Sequence, residues 1–426
     1  MRRFFLLFTF LLTAAALLAQ AERIPQFKEK YQLRQVVVLS RHNIRSPLSG
    51  NGSALARLTP HAWFQWSSPA SELSLRGGVL ETIMGQYFRK WLVAEGLFPE
   101  NCLPAEGEVL LYANSMQRTI ATAQYFGAGF MPVANLQVKH LYAPSRMDPV
   151  FHPQLTKVSR KFRKEALRQI CAMGGSEGLK GVGKDLQPCF ETLAHVLDLD
   201  QSVACTQGDT CRFRTDDTEI ILERGDEPRM RGGLNLANSA SDALILQYYE
   251  EPDTLRAAFG HAIGRAQWEQ VARIKDVYGD ILFTAPIVAV NVAHPLLKEM
   301  LAELLRPGRK FTFLCGHDSN IASVNAALGV ETYELPQAIE KKTPIGCKLV
   351  LEKWADDEGR LFVALNLVYQ SPEQLRGLTM LNVGNPPIVF PLQINGLTPN
   401  ADGLYVLDDL TARFRQAIDA YNEIPD

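Results

Sequence analysis

The chain lacks a charge surplus of either sign: 44 lysines and arginines face 46 aspartates and glutamates across 426 residues. Without a basic excess it has no general attraction for nucleic acid or an anionic bilayer, and neither is expected as a partner. Its eight histidines are scattered, and none of its seven cysteines forms a pair at zinc-knuckle spacing. No metal or cofactor is therefore expected. Past the N-terminus no segment approaches the ~20 apolar residues that span a bilayer, and there is no internal repeat or low-complexity stretch.

What is present begins with an export signature. Met1-Arg2-Arg3 is basic, Phe4 to Leu18 is apolar and Ala19-Gln20-Ala21 is small-x-small. That is the order of a cleavable signal over residues 1–21, with cleavage before Glu22. A soluble exported protein is expected, periplasmic if the cell has a periplasm. The remaining roughly 400 residues suit one large or two moderate domains. In an oxidising compartment seven cysteines imply disulfides with at least one thiol left over. Cys205 and Cys211 bracket a polar turn and are the first expected pair. Cys171 and Cys189 follow, on two helical segments joined at Gly174-Gly175. Cys102, Cys315 and Cys347 are unassigned, Cys315 being either a buried thiol or a partner of Cys347.

The chemistry concentrates in two turns. Arg41-His42-Asn43-Ile44-Arg45-Ser46-Pro47 follows the apolar run Val36-Val37-Val38-Leu39, which reads as a short strand buried on both faces. A histidine between two arginines at the end of such a strand stands where an open α/β sheet places its ligand. The arginine forks suit phosphate oxygens. Their charge also disfavours a proton on His42, leaving a neutral nucleophilic imidazole. The competing reading of an isolated R-H-x-x-R is a solvated basic turn.

The second turn is Cys315-Gly316-His317-Asp318-Ser319-Asn320, between the apolar run Phe311 to Leu314 and a helical pattern closed by Gly329. His317 can donate to a phosphate oxygen, and a protonated Asp318 can hand its proton to a departing alkoxide. A lone G-H-D is as readily a helix cap. Two such turns, one with a nucleophile and one with an acid, are not explained by capping.

These motifs resemble the R-H-G-x-R-x-P and H-D marks of the histidine acid phosphatases. That family belongs to the phosphoglycerate-mutase-like superfamily and includes bacterial periplasmic phytases and glucose-1-phosphatases. Leu73-Ser74-Leu75-Arg76-Gly77 resembles the family's L-T-x-x-G, and Asn114 to Thr119 resembles the segment that brings a further phosphate-binding arginine, here Arg118. Lys342 to Gly346 lies where the family returns to the sheet. The marks run from about residue 35 to 370 in the family's order. Asn43 departs from the glycine usual after the nucleophile. With Gln247-Tyr248-Tyr249-Glu250 it is more similar to the glucose-1-phosphatase branch than to the phytases. A side chain at 43 is expected to narrow the pocket mouth or to meet a sugar hydroxyl.

The resemblance implies an α/β fold, a sheet domain flanked by helices with a smaller inserted all-α domain. Residues 22–148 and 278–426 would form the sheet domain and 149–277 the helical cap. Helical patterns at 158–173, 186–199, 236–250 and 267–277 agree with that cap. The implied roles are His42 as nucleophile and Asp318 as proton donor and then base. Arg41, Arg45, Arg118 and His317 would hold the phosphate; Asn43 and Ser46 are weaker candidates for substrate contact, with a plain turn role the alternative for each. An ordinary Asp titrates near ~3.9, so an acidic optimum is expected. Substrate specificity is looked for near Met147-Asp148-Pro149, Asn238 or Glu250, although a solvated helix face suits Glu250 better. His61, His140, His152, His195, His261 and His294 read as ordinary surface or core residues.

The expected function is a metal-independent acid phosphomonoesterase acting on small organophosphates such as glucose 1-phosphate. The alternatives are a phytase, a phosphotransferase that passes the phosphohistidine's group to another hydroxyl, and a non-catalytic phosphosugar-binding protein.

Overall fold

The computed structural model describes residues 26–48, 54–144, 146–208 and 210–425, so the expected signal lies outside the described residues. Helices of ten or more residues are numbered in chain order. They run with the strands as β1 (Tyr31–Arg41), α1 (Leu75–Ala94), β2 (Val109–Ala113), α2 (Gln117–Phe130), β3 (Val138–Lys139), α3 (Arg160–Ala172) and α4 (Leu179–Val196). β4 (Glu219–Ile221), β5 (Arg229–Arg231), α5 (Gly233–Glu250), α6 (Arg265–Phe283), α7 (Pro286–Leu304), β6 (Phe311–Gly316) and α8 (Asp318–Leu328) follow. β7 (Lys348–Asp356), β8 (Leu361–Tyr369), β9 (Ile388–Pro391), β10 (Tyr405–Val406) and α9 (Leu407–Asp419) complete the chain.

One mixed sheet organises the molecule, in the order β10-β8-β7-β1-β6-β2-β3, with β9 also on β8. β1, β6, β2 and β3 are mutually parallel where they pair, while β7 and β8 turn back antiparallel. The unbroken apolar run of β1 follows from burial on both faces. Val36 and Val38 join a core layer with Phe88 and Phe126 of α1 and α2; Val37 and Leu39 join another with Leu297 of α7 and Val324 of α8. Successive side chains of a strand point to opposite faces, so the run Val36–Leu39 serves both core layers at once.

A third core layer, built chiefly from α3, α4, α5 and α6, reaches the sheet domain through Ile44, Val292 and Ile345. The helical region carries a two-stranded antiparallel ribbon, β4 with β5, that the sequence patterns did not reveal. Helix α6 also continues to Phe283, past the expected boundary at 277. Among the described residues no single helix is long and apolar enough to cross a membrane.

The disulfide reading needs correction. Cys205 and Cys211 are bonded, whereas Cys171 and Cys189 are free. Cys171 is exposed while Cys189 is buried in the helical core, so their thiols occupy different environments. Cys315 and Cys347 are both buried free thiols. Gly316 and Lys348, next to them, flank β1 from opposite sides; two strand spacings, about 9.5 Å, exceed the reach of a disulfide.

Candidate active site

β1 and β6 are parallel neighbours with Arg41 opposite Gly316. The next residue of each strand is a histidine, so His42 and His317 leave the same sheet edge side by side, ring centroids 5.5 Å apart. Glycine lets the first turn close: a Cβ on Gly77 would sit 2.3 Å from the Ile44 carbonyl oxygen, and one on Gly346 would sit 2.7 Å from Asn43 Nδ2. The Leu73 to Gly77 mark is thus a close approach of the α1 N-terminus to the loop that follows His42. Ser74 caps that helix, accepting from the Gly77 N–H at 3.0 Å.

The tautomer of each imidazole follows from its partners. His42 Nδ1 lies 2.8 Å from the Asn43 carbonyl oxygen. A carbonyl only accepts, so Nδ1 carries the proton and Nε2 keeps its lone pair. Burial, then Arg118, His317, Arg45 and Arg41, hold the His42 pKa well below 6.5. His317 Nε2 lies 2.7 Å from Asn114 Nδ2. The Asn114 amide is oriented by its Oδ1, which accepts from the Asp148 N–H at 2.8 Å. Nδ2 therefore donates to His317 Nε2, and the His317 proton resides on Nδ1. That proton faces the Arg118 guanidinium at 3.5 Å, two donors side by side with room for a shared anionic acceptor.

The arginines are ordered by carboxylates behind them. Arg41, 1% exposed, donates to Glu340 Oε1 at 2.7 Å and to the Thr343 carbonyl at 2.6 Å. Arg45 donates to Asp242 Oδ2 at 2.9 Å. Burial and then Arg45 lower Arg118 to about 10, so it stays charged. The Nε–H groups of all three are buried without a partner, leaving donor capacity unspent.

Asp318 opens α8. Its Oδ2 receives Lys275 Nζ at 2.7 Å and lies 3.5 Å from Arg41. Burial pushes its carboxyl up, but Lys275 and then Arg41 outweigh burial and hold it well below the usual range. The expectation of an ordinary carboxyl at this position is corrected: Lys275 and Arg41 favour the ionised form of Asp318.

These groups line a cavity of about 290 Å³ together with Met147, Glu227, Asn238, Asp242, Asp276, Tyr278 and Thr343. Arg41 lies behind them. Asn43 is not part of the lining. It is 1% exposed, donates to Glu81 Oε2 at 2.9 Å and accepts from the Ile44 N–H, so its expected substrate contact is corrected. Glu81 also pairs with Lys348 at 2.8 Å, both fully buried, and Asn43 supplies a donor to that enclosed carboxylate. Ser46 holds the loop through the Pro69 carbonyl. Glu250 accepts from Ser74 at 2.8 Å beside the α1 N-terminus and does not line the cavity.

Lys275, Glu340, Asp242 and Glu227 belong to no motif. Lys275 had one signal: it interrupts the face Val271, Tyr278, Leu282 of α6 at helical spacing, where a solitary cation on an apolar stripe marks a buried partner.

The model of the histidine phosphatase superfamily (branch 2) matches residues 32–227. A glucose-1-phosphatase of Salmonella typhimurium is 39% identical over 92% of this chain and 94% of its own. One from Providencia rettgeri is 36% identical over 91% and 92%. The structure of the phytase from Citrobacter braakii superposes with a TM-score of 0.83 at 26% identity, covering 91% of this chain and 98% of that one.

Proposed function

The chain belongs to the histidine phosphatase superfamily, branch 2, and is a phosphatase; from that premise we propose that it hydrolyses small sugar phosphates such as glucose 1-phosphate through a phosphohistidine on His42. The single observation that carries this reading is the His42 tautomer, with Nδ1–H held by the Asn43 carbonyl and Nε2 left as a lone pair among Arg45, Arg118 and His317 in one cavity.

In the first step the Nε2 lone pair forms a bond to phosphorus while the ester P–O bond breaks, its electrons passing to the sugar oxygen. The arginines and the His317 Nδ1–H take up charge on the equatorial oxygens. The leaving oxygen needs a proton. Lys275 and Arg41 favour ionised Asp318, so the proton arrives with the substrate, whose monoanion persists below a second pKa of about 6. Bound phosphate also offsets the cationic field of Arg41 and Lys275 at Asp318, allowing the carboxyl to hold and relay that proton. In the second step Asp318 takes a proton from water, the new oxygen bonds to phosphorus, and the P–N electrons return to Nε2. An acidic optimum results, set by the substrate's protonation and not by an ordinary Asp.

The helical segment 149–277 acts as a cap over the sheet edge. Its carboxylates support a monophosphate substrate. Glu227 and Asp242 face the cavity, where both suit sugar hydroxyls; Asp242 opposes a further phosphate, and Glu227, raised to about 7, joins it only as the pH climbs. Export is supported by the signal-like N-terminus and by the Cys205–Cys211 bond, since disulfides persist in oxidising compartments. The test is phosphate release at pH 4 to 5 from glucose 1-phosphate and inositol hexakisphosphate, side by side in EDTA, with His42→Ala as control. Release from the sugar phosphate, reduced at least about 10³-fold in the variant, is expected. Preferential release from the inositol phosphate would make the protein a phytase, and release unaffected by the variant would remove the phosphohistidine.

A further inference from the structure

Three side chains outside the catalytic cavity converge on the helical side of the molecule. His61 lies on the loop after the short helix Ala54–Arg57, Asp198 two residues past α4, and His261 on the loop entering α6. The Nε2 atoms of both histidines contact the same Asp198 Oδ2, at 2.6 and 3.0 Å. All three donor atoms lie within 4.8 Å of one another. The side chains keep 34%, 22% and 21% of their exposure in chain order, enough for access from solvent.

We propose that His61, Asp198 and His261 form a binding site for a divalent transition-metal ion of the zinc class, distinct from the catalytic cavity and serving to tie three chain segments together. Two imidazoles and one carboxylate are a donor set that zinc accepts, with a further position left for water. The geometry is close to that of the loaded site. Zinc bonds of about 2.0–2.2 Å put neighbouring tetrahedral donors about 3.4 Å apart, so each N–O gap opens by less than about 1 Å.

The rings are already held. His61 stacks on Phe259 at 5.2 Å and 13°, and His261 meets the His195 ring at 4.5 Å. Asp198 stands at φ 46, a conformation that few non-glycine residues adopt without a local reason. On binding, each ring presents a bare Nε2 to the metal with its remaining proton on Nδ1, and the carboxylate exchanges two hydrogen bonds for one metal bond. No oxidation or reduction is involved. Sequence spacing conceals the set because its members are separated by more than sixty residues and meet only through the packing of α4 and the two loops.

Binding to the folded chain alone stabilises it by mass action. The test uses the full chain stripped with EDTA, dialysed against zinc chloride, desalted and analysed for metal, with thermal melts in parallel. The wild type should retain about one zinc per chain and melt higher with zinc than without. His61→Gln and Asp198→Asn should each lose the retained zinc and the melting shift while keeping wild-type phosphatase turnover, which shows that they fold. His261→Gln gives the same reading if either of them misfolds. Absence of stoichiometric zinc on the wild type would overturn the proposal. So would equal retention by the folded variants, which would put the zinc elsewhere, at His42 and His317 for example.

Discussion

The two walls of the catalytic cavity differ in origin and in charge. The sheet wall comes from three strand-to-helix junctions and holds His42, Arg45, Arg118, His317 and Asp318, with Arg41 behind them. The helical wall comes from the ribbon loop and from α5 and α6, and brings Glu227, Asn238, Asp242, Lys275, Asp276 and Tyr278. One wall gathers three cations and the His317 imidazole around His42; the other mixes carboxylates with the cations Lys275 and Arg229, and sets Glu227 and Asp242 nearest the sheet wall's arginines. On the proposed function the sheet edge performs the chemistry, while the helices select what is attached to the phosphate. A second phosphate on the substrate would have to face Glu227 or Asp242. A hydroxyl would find an acceptor there.

After His42→Ala, replacing the proposed acid Asp318 should damage the sheet wall most. Asp318→Asn removes both the proton relay and the counter-charge to Lys275 and Arg41. Turnover of an alkyl or sugar phosphate should fall about 10²–10⁴-fold. An activated ester whose leaving group needs no proton should lose less in phosphorylation of His42. A burst of phenolate followed by slow turnover, read by stopped flow with an aryl phosphate, is the expected signature. Equal losses for both esters with no burst would assign Asp318 to phosphate binding alone.

A smaller loss should follow from disturbing the tautomer of His317 without touching the substrate. Asn114→Leu deletes the donor to His317 Nε2, and ligand-orienting contacts of this kind are worth about 10–100-fold. kcat should fall more than KM rises. The imidazole nitrogen shifts in proton–nitrogen spectra should show that the Nδ1–H form is no longer exclusive. Unchanged shifts would mean that Asn114 matters only for packing Asp148.

The sheet wall was legible because each of its turns is contiguous in sequence. A strand leads straight into each turn; at β2 and β6 the helix follows at once, while the segment 42–74 separates β1 from α1, and the side-chain types carry the chemistry on sight. Arg41, His42, Arg45, His317 and Asp318 were singled out that way, and Arg118 through the family resemblance of its segment; the structure brings them to one sheet edge. Asn43 was misread for a physical reason. Sequence adjacency to the nucleophile says nothing about which side of the turn a side chain faces, and here Glu81 draws it inward. The helical wall was illegible for a different reason. Glu227, Asp242 and Lys275 lie on separate elements, each of which alone looks like an ordinary polar loop or amphipathic helix. Lys275 could have been suspected from the stripe it interrupts, but its partner Asp318 lies 43 residues away. The apolar runs 36–39 and 311–314 were legible inside the longer β1 and β6, because a run buried on both faces stands out from its polar flanks; β3, β9 and β10, of two to four residues, left no readable period. The ribbon β4–β5 has only three residues per strand, too few for a period to emerge.

Glu227 gives the mildest and most specific test of the comparison between the walls. Burial raises its carboxyl to about 7, with Arg118 opposing and Asp318 adding to the rise. At pH 5 it is therefore neutral, able to donate one hydrogen bond to a sugar hydroxyl and to accept another. As pH climbs through about 7 it ionises and sets a negative charge facing the phosphate, so KM for the dianionic substrate should rise there. Glu227→Gln keeps the shape and the hydrogen-bonding capacity but cannot ionise. At pH 5 the variant should stay within a few-fold of wild type on glucose 1-phosphate, as exchange of one neutral hydrogen-bonding group for another requires. Between pH 6 and 8 its KM should rise less steeply, and the ratio of inositol hexakisphosphate to glucose 1-phosphate turnover should increase by roughly three- to tenfold, about one close charge in a partly solvated site. KM profiles that superimpose would show that the helical wall discriminates by shape and that Asp242, already engaged by Arg45, is the charge that matters.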